Sequence, residues 1–197
     1  MRPVLILMFL ILIVLTSCQQ AAEKHTKSVE EKVEKFEKSA KKEGTWLQEL
    51  IATEAHTDEV LLSKLPKQLA GVPLRSSASP AAQTVAATYS LNGNPNHETE
   101  NISLTIIDGA GNYGFGHLNA IHKMISMEVN NQEANGWAKT QDHKGNRILL
   151  KESLDKGIQF SELEYIKDNR YHITLSGRRY DSNKLLQAKE ELEKLKF

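Results

Sequence analysis

The sequence predicts an α+β fold: an antiparallel sheet of about six strands with helices packed on it, preceded by a charged N-terminal helix. Three observations carry this. Polarity alternates with period two in runs between residues 83 and 176. Short turn-forming segments separate the last four of these runs, which favours hairpins over crossovers. Helix-period apolar spacing is confined to the residues before Pro66, to the neighbourhood of Leu118–Met127 and to the residues after Asp181.

The charged helix comes first. Residues 19–43 hold seven Lys and six Glu. Glu23–Lys27, Glu31–Lys35, Glu34–Lys38 and Glu37–Lys41 are i,i+4 pairs in the favourable order. Val29, Val33, Phe36 and Ala40 form one narrow apolar seam. The pattern is that of a solvated helical spacer; a short coiled coil with a partner is the alternative. Gly44 reads as its C′ residue. Trp46, Leu47, Leu50 and Ile51 suggest a second short helix. Thr57-Asp58-Glu59 opens a third, which Pro66 ends. Gly71, Pro73 and Ser76 to Pro80 read as a connecting loop.

Val85, Ala87, Tyr89 and Leu91 alternate with Thr84, Ala86, Thr88 and Ser90, and Ile102, Leu104 and Ile106 with Ser103 and Thr105, giving two neighbouring strands around an Asn92–Asn96 turn. A glycine-rich loop, 109–116, leads into a helix at Leu118–Met127. Four further strands come after it, at Trp137–Gln141, Ile148–Glu152, Ile158–Ile166 and Tyr171–Ser176. Asp181 or Ser182 caps a last helix with Leu185, Leu186, Leu192 and Leu195 on its buried stripe. The order after the N-terminal region is therefore ββα-ββββ-α.

Composition excludes some functions. Lys and Arg number 25 against 25 Asp and Glu, so there is no basic excess of the kind that marks nucleic-acid binding. Cys18 is the sole cysteine, which excludes an intrachain disulfide framework and any CxxC site. Arg2 precedes an unbroken apolar run, Val4 to Leu15, that fits a signal-peptide core and is short for a membrane span. Leu15-Thr16-Ser17-Cys18 resembles the lipobox of bacterial lipoproteins. That resemblance implies cleavage before Cys18, lipidation of its thiol, and attachment to a bacterial membrane facing the periplasm or the cell exterior. The chain then divides into a signal peptide (1–17), a lipid anchor and charged helical spacer (18–56) and an α+β domain (57–197).

Leu65-Pro66-x-x-Leu69-x-Gly71, Ala87-Thr88-Tyr89, Ile106-Ile107-Asp108-Gly109, Asn135-Gly136-Trp137 and Tyr171-x-Ile173-x-Leu175-x-Gly177 resemble a group of uncharacterised bacterial envelope domains. Their arrangement is similar to the PsbP-like α+β sandwich. The resemblance spans roughly residues 58–196, rests on turns, strand ends and core positions, and brings no catalytic motif.

The residues with chemical potential are few. Gly109-Ala110-Gly111-Asn112-Tyr113-Gly114 matches GxGxxG between a strand and a helix. Hairpin connections argue against the parallel sheet that a dinucleotide site needs, so the segment reads as a flexible surface loop. Gly109, Gly111, Tyr113, Gly114 and Phe115 are then possible ligand or partner contacts. Arg178-Arg179 could grip an anion, or form a solvated turn. His117 and His122, five apart, do not face one another on a helix. His97 lacks the second histidine of a zincin motif. His143 and His172 fall in a turn and a strand, and no metal site is expected. Ser39-Ala40-Lys41-Lys42 matches SxxK by chance within the spacer. Glu162 and Glu164 share one strand face and read as a solvated edge. No cofactor is expected. These readings point to a non-enzymatic, lipid-anchored binding module, with the membrane and an envelope partner or ligand as its associations. The alternatives are an enzyme of unrecognised type and a structural lipoprotein pairing through its N-terminal helix.

Overall fold

The computed structural model describes residues 44–92 and 100–197. The signal segment, Cys18, the charged stretch 19–43, His97 and most of the Asn92–Asn96 turn lie outside the described residues. The chain divides into a unit of residues 1–46 and a unit of residues 47–197, and the second holds the sheet.

Helix α1 is seen over residues 44–52. Gly44 is helical rather than a helix stop, with a φ outside the left-handed region and, among the described residues, nothing within 4 Å of where a Cβ would stand. Helix α2 (Asp58–Ser63) starts at the expected Thr57-Asp58-Glu59 segment, where Thr57 Oγ1 accepts from the Val60 N–H at 3.4 Å as the cap, and ends before Pro66. Asp58 also reaches across to Ser79 Oγ (2.6 Å) and the Gln83 N–H (3.2 Å), fixing α2 to the first hairpin.

Nine strands, not six, make one fully antiparallel sheet among the described residues: β1 (Gln68–Leu69), β2 (Val72–Ala81), β3 (Thr84–Ser90), β4 (Asn101–Asp108), β5 (Asn130–Glu133), β6 (Gly136–His143), β7 (Asn146–Asp155), β8 (Ile158–Lys167) and β9 (Tyr171–Arg178). Their order is β1-β2-β3-β4-β9-β8-β7-β6-β5. Two meanders, β1–β4 and β5–β9, are thus joined edge to edge by β4 and β9. Helix α3 (Gly111–Ser126) carries the chain from the seam to the far edge, and α4 (Ser182–Leu192) comes after β9.

The expected loop at residues 71–80 is strand β2. Its prolines and serines mislead, because a near-edge strand tolerates residues without an N–H and this one is bulged twice. Strand β5 is four exposed polar residues and has no alternation to detect. The expected glycine loop 109–116 is also shorter than its composition implies, since α3 begins at Gly111. Elsewhere local signals hold. Lys144-Gly145 and Lys156-Gly157, all four at positive φ, close two-residue hairpins between His143 and Asn146 and between Asp155 and Ile158. Asp181 caps α4 by accepting the Lys184 N–H at 3.0 Å.

Successive side chains on a strand face opposite ways. One face carries Val85, Ala87, Tyr89, Ile102, Leu104, Ile106, Ile148, Leu150, Leu163, Tyr165, Ile173 and Leu175. All are buried in one cluster with Leu61 and Leu65 of the α2 region and with Leu185, Ala188 and Leu192 of α4. Helix α3 lies on the opposite face against β7, β8 and β9. There Leu118, Ile125 and Leu149 are buried outside the main cluster. The sheet is therefore a middle layer, with its central strands covered on one face by the α2 region and α4 and partly covered on the other by α3.

Candidate functional site

The partly covered face is organised in cross-strand rows. Under α3 lies a row of Ile107, His172, Ile166 and Arg147, with Thr105, Thr174, Glu164, Leu149 and Thr140 next to it. Further along the strands come Thr88, Ser103, Ser176, Glu162, Lys151 and Ala138, then Asn101, Arg178, Phe160, Ser153 and Gly136. No described helix covers these last two rows. Thr88, Ser103, Ser153, Ser176, Ala138 and Gly136 are short, and over them lies a groove of about 700 Å³ that Glu133 and Asn135 also line. That volume is in the range of small-molecule sites, roughly 300–1,000 Å³.

A chain of polar contacts runs from α3 into the groove. His117 Nε2 lies 3.0 Å from His172 Nδ1, and His172 Nε2 lies 3.3 Å from Glu164 Oε2. Lys151 Nζ donates to Glu164 Oε1 (3.0 Å) and to Glu162 Oε1 (2.5 Å). The network assigns the protons: His172 donates through Nε2 to the carboxylate and accepts at Nδ1 from His117. Hydrogen bonding to His172 is the largest influence on Glu164; with Lys151 it outweighs burial and holds the acid down to about 2. Burial, and then the neighbouring His172, push the His117 imidazole below its ordinary value despite the pull of Glu164. Burial opposes the charged form of Lys151, but its two glutamates more than compensate and raise it.

These directions fix a pH dependence. Groups with depressed folded values bind more protons when unfolded, so stability falls as pH falls. The His117 contribution begins to be lost below its unfolded value of 6.5, and that of Glu164 between 4.5 and about 2. We expect the urea midpoint to drop from pH 7 to pH 5 and to drop further below pH 4.5. In Glu164→Gln the second drop should be smaller. A midpoint independent of pH between 7 and 4 would contradict the network.

Glu162 and Glu164 do share a face, as their spacing requires. It is not a solvated edge: Glu164 is buried and shares a lysine with its neighbour. The expected contact residues are dispersed. Gly109 is buried at the seam, where its N–H donates to the Arg170 carbonyl at 2.8 Å and a Cβ would meet Leu118 Cδ2 at 2.6 Å. Gly114 is buried in α3 with its Cα face against the Asp108 carbonyl. Gly111 begins the helix at φ +70°. The helix N-terminus already holds an anion: Asp108 Oδ1 accepts the Ala110 N–H at 3.0 Å. Tyr113 stands 72% exposed and Phe115 is half-buried, so Tyr113 alone of these five presents a large free side chain.

Arg178 and Arg179 part company. Arg179 is exposed at φ +62° in the turn after β9. Arg178 ends β9 at the groove, with its guanidinium 5.1 Å from the Phe160 ring centre. Gly109 lies beside the start of β9 and Arg178 at its end, so about 25 Å of strand separates the two expected regions. Sequence reading missed Thr88, Ser103, Ser176 and Phe160. The available signal was small polar residues in the same phase on neighbouring strands, opposite the apolar alternation.

Among the described residues, no three His, Cys, Asp or Glu side chains converge as a metal site requires. None of the described helices is long and apolar enough to cross a membrane. The chain matches no family model, no curated protein and no solved structure.

Proposed function

We propose that the chain is a bacterial lipoprotein, anchored through Cys18, whose α+β domain is a non-enzymatic binding module. Its ligand occupies the uncovered part of the sheet face. The groove of about 700 Å³ carries this reading, because its floor combines hydroxyls with charged and aromatic side chains. Polar groups at fixed positions in a concave surface confer orientation and specificity on a ligand. The lipobox and the charged segment 19–43 support a domain held off a membrane by a spacer.

Two experiments test the two halves of this proposal. Metabolic labelling with a radioactive fatty acid should mark the wild-type chain and leave Cys18→Ala unlabelled; equal labelling would refute the anchor. A thermal-shift screen of sugars, peptides and lipid headgroups should yield ligands that stabilise the full chain. Ser176→Trp, which fills the groove floor, should abolish those shifts while retaining a cooperative melt. Undiminished shifts in that variant would refute the groove.

A further inference from the structure

We infer that the groove takes a small, hydroxyl-bearing organic anion, with its carboxylate or phosphate on Arg178 and its hydroxyls on Thr88, Ser103 and Ser176. This rests on the groove being the binding site and names the class of ligand it fits.

The charge pattern places the anion. Lys151 is spent on Glu162 and Glu164 at 2.5 and 3.0 Å. The Arg178 Nε is buried without a hydrogen-bond partner among the described residues, and its guanidinium lies over Phe160. An unmet charged donor is costly, and so it needs an explanation. A carboxylate or phosphate seated against the half-buried guanidinium, with a small rotation of the side chain that uncovers Nε, supplies the missing acceptor in the two-point geometry that a guanidinium favours. Phe160 holds the guanidinium from one side. Glu133, exposed on β5 and lining the groove, repels a second negative group. A single anionic group at the Arg178 end is therefore favoured over a polyanion.

The remainder of the ligand is set by the floor. Thr88, Ser103 and Ser176 are consecutive partners across β3, β4 and β9, so their hydroxyls form a row about 10 Å long at ordinary strand spacing. Each hydroxyl can donate once and accept twice. Such a row suits a ligand with several hydroxyls of its own, not an acyl chain.

The test is calorimetric titration of the full-length chain in detergent with glucose 6-phosphate, glucuronate, glycerol 3-phosphate, glucose and inorganic phosphate. At least one hydroxyl-bearing anion should bind tenfold or more tightly than glucose. Arg178→Gln should reduce that anion to the affinity of glucose. Ser103→Ala/Ser176→Ala should weaken it while leaving inorganic phosphate unchanged. A preference for glycerol 3-phosphate identifies a lipid headgroup as the source, and a preference for the hexose anions identifies a free sugar; both support the inference. Equal binding of glucose and its anionic counterparts, indifference to Arg178→Gln, or no binding of any probe overturns it. The groove itself stands or falls separately: if Ser176→Trp abolishes binding of some other ligand, only the ligand class is wrong.

Discussion

Asp108→Ala is expected to lower the unfolding free energy by about 3–5 kcal/mol, the usual cost of leaving one partner of a buried ion pair alone. Asp108 is fully buried at the end of β4. Its two oxygens take Arg170 Nε at 2.8 Å and Arg170 Nη2 at 2.7 Å. They also take the His56 N–H at 2.8 Å and the Ala110 N–H at 3.0 Å. One carboxylate thus joins the segment after α1, the β8–β9 turn and the start of α3. Arg170 Nη2 also reaches the Glu54 carbonyl at 3.0 Å. Burial alone would raise the acid, but Arg170 and the two N–H groups outweigh it and hold Asp108 below its ordinary value. Its stabilising contribution is therefore present above the usual carboxylate range and is lost on acidification through the lower folded value. Urea denaturation at pH 7 checks the magnitude. Against a typical total of about 5–15 kcal/mol, the loss should be plain, and a change below about 1 kcal/mol would show that the pair is not a tether.

The second large effect is at Gly114. Alanine is favoured over glycine inside a helix by about 1 kcal/mol. At Gly114 a Cβ would overlap the Asp108 carbonyl oxygen and come within 2.8 Å of the Gly109 Cα. Those are backbone atoms and cannot swing aside, so overpacking of roughly 1–3 kcal/mol or more exceeds the propensity gain. We expect Gly114→Ala to destabilise. Gly116 is the internal control, since a Cβ there meets nothing within 4 Å. Gly116→Ala should stabilise by about 1 kcal/mol. Opposite signs at two glycines two residues apart would establish that close packing of α3 on the seam, not loop flexibility, is what Gly114 serves.

Those glycines also show what the sequence made legible. The low helix propensity of Gly109 and Gly114 and their match to GxGxxG point to a loop, because their need for close approach comes from the β4–α3 corner and, for Gly109, from the β8–β9 turn some sixty residues away. Strand alternation is legible where one face is apolar, as in Ile102-Leu104-Ile106 and Tyr171-Ile173-Leu175, and the helix starts at Thr57-Asp58-Glu59 and at Asp181 or Ser182 are legible in local chemistry. Strand β2 was missed because its near-edge position licenses Pro73 and Pro80, and β5 because a short polar edge strand has no pattern. The groove is a product of register. The pairs Thr88–Ser103 and Ser176–Glu162 come together only through the β4–β9 seam, whose pairing no local signal encodes. Residue type alone marks Arg178 as an anion contact; its separation from Arg179 and its place over Phe160 depend on the turn after β9.

The most direct measurement is NMR mapping of a ligand taken from the thermal-shift screen. Titrated into the isotopically labelled full chain, it should move the amide resonances of Thr88, Ser103, Ser176 and Arg178 and leave Gly111–Phe115 at the start of α3 unmoved. Shifts confined to Gly111–Phe115, with the four groove amides unchanged, would place binding at the seam and contradict the sheet groove as the site.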